Sequence, residues 1–135
     1  MEWDLSLECG VEPIDSEHRE LFNAVERLNQ TVKSENASEA AREILDFLGA
    51  YVVEHFGHEE SLMFMCDYPQ ADEHKQLHQD FVQAFTKLRR KFDDDSKNPK
   101  VVTEVYYAAM SWLVNHIKIV DKRLVDYYLA QQSSD

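Results

Sequence analysis

The sequence predicts an all-α protein, an antiparallel up-down-up-down four-helix bundle with an extended N-terminal arm. Three observations lead there. Apolar residues recur with helical spacing in four long segments. The connections between those segments are short and polar, which favours antiparallel neighbours. Only 3 Gly and 3 Pro are spread over 135 residues, too few to punctuate a many-stranded or loop-rich fold. A chain of this length suits one domain with one continuous core, read as residues 1–135.

The elements follow in order. The stretch through Val11-Glu12-Pro13 reads as the arm. Asp15 is a plausible N-cap for a first helix over about 15–35, with His18, Leu21, Phe22, Val25, Leu28 and Val32 inward. Asn36-Ala37-Ser38 breaks it, and Ser38 caps a second helix over about 38–66. That helix turns Ile44, Leu48, Tyr51, Val52, His55, Glu59, Leu62 and Met63 to one side. Asp67-Tyr68-Pro69 starts the third, about 69–93, because proline at a first helical position loses no hydrogen bond. Its inner face reads His74, His78, Phe81, Phe85, Leu88. After Lys97-Asn98-Pro99 a fourth helix, about 99–131, carries Val105, Ala109, Trp112, Leu113, His116, Ile119 and Val120 toward the core.

A net charge of −12 disfavours nucleic acid and anionic membrane surfaces, which repel an acidic partner. Cys9 and Cys66 form no CxxC or secretory framework, so a reducing compartment, the cytoplasm, is expected. The opening MEWDLSLECG has acids and no apolar h-region, unlike a signal peptide. No apolar run is long enough to span a bilayer, so no direct membrane contact is expected.

The informative feature is that metal-capable residues interrupt the apolar stripe of every helix. Each helical residue turns the side chain by roughly 100°. His55 and Glu59 therefore share a face, as do His74 and His78, while Glu60 points away from His55. His18 and His116 lie on the inward faces of the first and last helices. A single inward histidine is ordinarily a hydrogen-bonded core residue. Five would need five sets of partners in an apolar core, at about 1–3 kcal/mol for each group left unsatisfied. One shared metal centre satisfies them together. His58, between His55 and Glu59, is directed less favourably and reads as a flanking, partly exposed residue. Asp121 lies five residues after His116, roughly 140° away on a regular helix. A π-type turn would bring the two together, and such turns are frequent at functional sites. The alternative for Asp121 is a surface pair with Lys118 or Arg123.

The pattern His18 … His55-x3-Glu59 … His74-x3-His78 … His116-x4-Asp121 resembles the hemerythrin family in its bacterial branch. The flanking words agree: Ile14-Asp15-Ser16-Glu17-His18, His55-Phe56-Gly57-His58-Glu59-Glu60, Tyr68-Pro69, His74-Lys75 and Trp112-Leu113-Val114-Asn115-His116-Ile117. The resemblance runs from about Trp3 to Leu124. It implies two oxo- or hydroxo-bridged iron ions, with Glu59 and Asp121 bridging both. By the family pattern His74, His78 and His116 bind one iron and His18 and His55 the other, which is left a ligand short. That open position is where O2 is expected, and where small anions such as azide would compete. Family analogy places Leu21, Phe56, Trp112, Leu113, Ile117 and Ile119 around it, although helical spacing alone makes most of them simply core.

The expected function is reversible O2 binding for oxygen sensing or for transport and storage, without enzymatic turnover. Carboxylate-rich diiron sites use Glu-x-x-His pairs, and none occurs here. Five neutral imidazoles and two carboxylates donate less negative charge, which disfavours highly oxidised iron. The alternative is a diiron redox enzyme or a nitric-oxide or peroxide scavenger, which steady turnover with an electron donor would reveal. A zinc hydrolase fits less well, since Lys75 stands where HExxH needs its glutamate. Similar bacterial domains occur alone and at the C-terminal end of chemotaxis receptors. The chain's start near Trp3 and stop after the last helix suit an excised sensor domain of a larger signalling protein, and equally a small free-standing protein; the sensor is the preferred reading.

Overall fold

The structure, a computed structural model, describes residues 2–133. Among them all regular structure is helical: α1 Glu12–Gln30, α2 Ala37–Met65, α3 Ala71–Asp94, α4 Pro99–Asn115, a π turn His116–Asp121, and α5 Lys122–Ser133, which continues α4. α1 packs on α2, α2 on α3, α3 on α4, and α4 closes the ring against α1. This is the four-helix bundle that the sequence predicts. Its core runs the length of the bundle through Phe22, Leu28, Leu45, Phe92, Val105 and Ile117. No described helix is long and apolar enough to cross a membrane.

The helix starts depart from the sequence reading in informative ways. α1 begins at Glu12, with Pro13 in its first turn and Val11 before it making no side-chain cap. Proline's fixed φ suits that position, so the residue read as the end of the arm opens the helix. Asp15 is therefore inside the helix and not its N-cap. Its buried carboxylate accepts hydrogen bonds from the backbone N–H of Cys9 (2.7 Å) and of Gly10 (3.1 Å). α1 also stops earlier, at Gln30, before a single 3-10 turn Thr31–Lys33. Asn36, not Ser38, precedes α2. The Ser38 hydroxyl donates instead to the Ser96 carbonyl at 2.8 Å, tying the first turn of α2 to the α3–α4 connection.

α2 ends in a Schellman motif. The N–H of Tyr68 reaches the Met63 carbonyl (3.0 Å) and that of Asp67 the Phe64 carbonyl (3.4 Å), with Asp67 left-handed at φ 53°. Tyr68 packs on Met63 beneath it, the apolar contact that accompanies this cap. Pro69 lies in the resulting turn, and α3 starts two residues later than read, at Ala71. Asn98 caps α4 by accepting from the Lys100 N–H at 3.0 Å. The arm is not wholly extended. A 3-10 turn Leu5–Leu7 buries Leu7, and Trp3 packs edge-on against Phe22 with ring centroids 5.5 Å apart.

Candidate metal centre

The inward histidines and acids meet midway along the bundle because α1–α3 and the π turn each bring one or two to the same level. α1 supplies His18, α2 His55 and Glu59, α3 His74 and His78. The fourth rod supplies His116 and Asp121 as the two ends of the π turn anticipated from their five-residue spacing. The wider turn replaces the i→i−4 pattern and brings the Asp121 carboxylate to 3.0 Å from His116 Nε2.

Two sets of donor atoms emerge. In one, Glu59, His74, His78, His116 and Asp121 each place an atom within 4.8 Å of all the others; in the second, His18, His55, Glu59 and Asp121 do so. The two acids belong to both sets and divide their oxygens between them. Glu59 Oε1 lies 2.9 Å from His78 Nε2 and 3.3 Å from His74 Nε2, and Asp121 Oδ1 lies 3.1 Å from His74 Nε2. Glu59 Oε2 faces His55 Nε2 at 3.4 Å and His18 Nε2 at 3.5 Å, while Asp121 Oδ2 approaches His18 Nε2 to 2.8 Å. The result is three imidazoles on one side, two on the other, and a carboxylate oxygen pair for each.

The donor set fits a cation. Glu59 and Asp121 are 1% and 0% exposed. Yet Glu59 Oε2, both Asp121 oxygens and His18 Nε2 make no hydrogen bond of acceptable geometry. His74 Nε2 and His116 Nε2 are 3.2 Å apart. Buried polar atoms left unsatisfied in this way are costly, and metal ions coordinated by these atoms would satisfy all of them.

Electrostatics in the metal-free protein point the same way. Burial alone would push His55 and His74 down. The Glu59 charge, with Glu17, outweighs it for His55, and hydrogen bonds to Asp121 and Glu59 do so for His74, so that both stand at about 9. Burial likewise opposes ionisation of Glu59, but the surrounding imidazoles, His55 first, hold its carboxyl well below the usual range. Asp121 is held low by His116 and His18 against both burial and the Glu59 charge. Protonated imidazoles thus neutralise the acids when metal is absent. A histidine whose folded pKa is raised contributes stability that is full below its unfolded value and is lost as pH rises through the folded one. The metal-free protein is therefore expected to lose stability between pH 6.5 and about 9, as a falling urea midpoint. A flat profile across that window would show that His55 and His74 are not paired as described.

Two acids that the sequence reading did not assign hold the imidazoles from behind. Glu17 Oε1 takes His55 Nδ1 at 2.8 Å, and Glu60 Oε2 takes His78 Nδ1 at 3.0 Å. Each orients its ring and makes it more basic, as carboxylates behind ligand histidines do. His58 is exposed and pairs with the other Glu17 oxygen at 2.5 Å.

The apolar surroundings are built from residues one turn away. Leu21 follows His18 by three and Phe81 follows His78 by three, while Val52 and Leu113 precede His55 and His116 by three. Opposite signs on alternate helices are what an antiparallel bundle requires to bring these residues to one level. With Trp112 they line one end of an interior cavity of about 20 Å³. Trp112 stacks on His116 (centroids 4.3 Å apart) and Phe56 on His78 (3.8 Å). Ile117 is fully buried.

Ile119 departs from its expected place. It is 57% exposed, because the turn that draws His116 and Asp121 together carries the residue between them outward. It does not line the interior. Ile119→Glu is accordingly expected to leave metal content unchanged and to alter stability by no more than about 0.5 kcal/mol, as surface substitutions do. Loss of metal in that variant would place Ile119 back beside the cluster.

Known proteins bear on this arrangement at the level of the whole chain. The profile of the hemerythrin HHE cation-binding domain matches residues 9–128. A myohemerythrin of Theromyzon tessulatum is 32% identical over 120 residues, covering 89% of this chain and 87% of the relative. A bacteriohemerythrin of Methylococcus capsulatus (strain ATCC 33009 / NCIMB 11132 / Bath) is 35% identical over 108 residues, covering 80% of each. A wild-type hemerythrin crystal structure superposes with a TM-score of 0.78 at 30% identity, covering 95% of this chain and 97% of that one. A four-helix bundle whose buried histidines and acids fit a cation, matched over nearly its whole length by such relatives, places this chain in the hemerythrin family.

Proposed function

We propose that the protein binds O2 reversibly at a diiron centre held by His18, His55, Glu59, His74, His78, His116 and Asp121. The observation that carries this reading is the unequal division of imidazoles across two shared carboxylates. Glu59 and Asp121 offer one oxygen to His74, His78 and His116 and the other to His18 and His55. In this reading Glu59 and Asp121 would serve both metal positions, and the side with only two imidazoles would have fewer protein donors, leaving room for a small ligand, O2 or an anion such as azide. Two bridged iron ions would supply a reversible two-electron exchange with O2.

The chain's own residues then decide between binding and turnover. Leu21 and Val52, one turn from His18 and His55, and Trp112 and Leu113, beside His116, place an apolar lining next to both sides of the cluster. The interior cavity, about 20 Å³, exceeds the roughly 10–15 Å³ one water needs but has no room for an organic substrate. Five neutral imidazoles leave the metal pair less negatively surrounded than carboxylate-rich sites do, which favours carrying O2 over oxidising with it. We therefore read the protein as a binder and not an enzyme.

We place it in the cytoplasm, where Cys9 and Cys66 stay unpaired. Carrier, store and sensor share this site, and the sensor role would be exercised within a larger signalling protein. Elemental analysis tests the metal assignment: two irons per chain are expected after anaerobic loading with Fe(II). One iron or none would refute the diiron reading.

A further inference from the structure

Carboxylates back His55 and His78 at Nδ1, whereas His18 and His74 leave Nδ1 without a hydrogen bond; of these two, His18 is the one grouped with a cysteine. It is completely buried. Its Nε2 faces Asp121 and Glu59, so Nδ1 is the nitrogen left to face away from the acids. That Nδ1 makes no hydrogen bond of acceptable geometry. What lies against the ring is the Cys9 thiol, within 4.8 Å of a His18 nitrogen and of an Asp15 carboxylate oxygen.

The thiol is held there by the backbone around it. The Cys9 N–H is bound by Asp15 Oδ1 at 2.7 Å, and the Gly10 N–H by Asp15 Oδ2 at 3.1 Å. Lys122 Nζ donates to the Cys9 carbonyl at 3.5 Å. Gly10 turns the chain with φ +105°, a conformation that side chains rarely adopt. These anchors fix the arm where Cys9 Sγ meets the His18 ring. Because Asp15 spends both oxygens on backbone N–H groups, it is a clamp for the arm and leaves the sulfur as the neighbour of Nδ1.

We propose that Cys9 is a positioning residue for His18: its sulfur accepts the Nδ1–H, fixing the tautomer in which Nε2 is presented to the metal. The proposal rests on the diiron reading for its purpose and on the Cys9–His18 geometry for its substance. It also makes the two-imidazole side uneven. His55 is backed by a carboxylate, His18 by a weak sulfur acceptor, so His18 is the less electron-rich ligand of that pair.

Cys9→Val keeps the shape and removes the acceptor; Cys9→Ser restores one. Release of Fe(II) to a chelator under anaerobic conditions is expected to show affinity about tenfold weaker for Cys9→Val, at the low end of what losing a partner behind a ligand histidine does, with Cys9→Ser close to wild type. A second readout needs no metal: the His18 ring Nδ1–H proton resonance in metal-free protein is expected to shift in Cys9→Val and to stay near its wild-type position in Cys9→Ser. Iron retention equal in all three proteins, or equal losses in Val and Ser, would overturn the proposal, as would an Nδ1–H resonance indifferent to both changes. Failure of the wild type itself to hold iron would count against the diiron reading alone, and the resonance would still decide the role of Cys9.

Discussion

On the proposed diiron reading, Glu59→Gln is expected to reduce iron from two per chain to one or none while leaving a helical protein. The substitution keeps side-chain size but removes the charge that four helices converge upon. Glu59 is the largest opposing charge acting on His55 and also faces His18, His74, His78 and His116. An amide has one acceptor oxygen where the carboxylate has two, so it cannot serve both sides of the cluster. The metal-free variant should also be less stable at neutral pH, by about 3–5 kcal/mol, the usual cost of stripping one partner from a buried charged group. Iron analysis and urea unfolding measure the two effects separately. A variant with its full iron content would show that Glu59 does not join the two sets of donors.

Phe56→Ala should be the most damaging apolar change near the centre. The ring is 4% exposed, stacks on His78, and meets Phe81 and Trp112 edge-on with centroids 5.9 and 5.7 Å away. It also lines a surface groove between α2 and α3 together with Val53, Gly57, Glu60 and His78. The side chain is thus the partition between solvent and the imidazoles. Truncation should cost about 3–5 kcal/mol from lost burial and the cavity left behind. It should also let water reach His78, so that the O2 adduct decays faster to the oxidised centre. The adduct's lifetime, followed by visible absorption, tests the second effect. An unchanged lifetime in a destabilised variant would reduce Phe56 to core packing.

The bundle was legible in the sequence because its signals are periodic and local: apolar stripes, polar breaks, and Pro99 after Asn98. The gathering of seven polar residues was legible because each interrupts a stripe that would otherwise be wholly apolar. Even the π turn could be anticipated, since His116 and Asp121 share a face only if the helix widens between them. What escaped depends on how the helices stand against one another. Glu17 lies off the inward stripe of α1, and nothing in its own helix says that it reaches His55 and His58 on α2. Asp15 resembles a cap by residue type, but Pro13 starts the helix first and frees the carboxylate for the arm. Ile119 reads as inward on a regular helix, and only the altered pitch of the π turn puts it outside. The left-handed Asp67 is a further case: glycine usually fills that position, so the helix end near Cys66 was visible but its geometry was not.

The most direct test begins with iron-loaded protein, reduced without oxygen, then exposed to O2 and purged through several cycles under visible absorption. A charge-transfer spectrum that appears with O2, fades on purging and returns at nearly full amplitude is the predicted result. One-way oxidation on first exposure, or steady O2 consumption when an electron donor is supplied, would contradict a reversible oxygen binder.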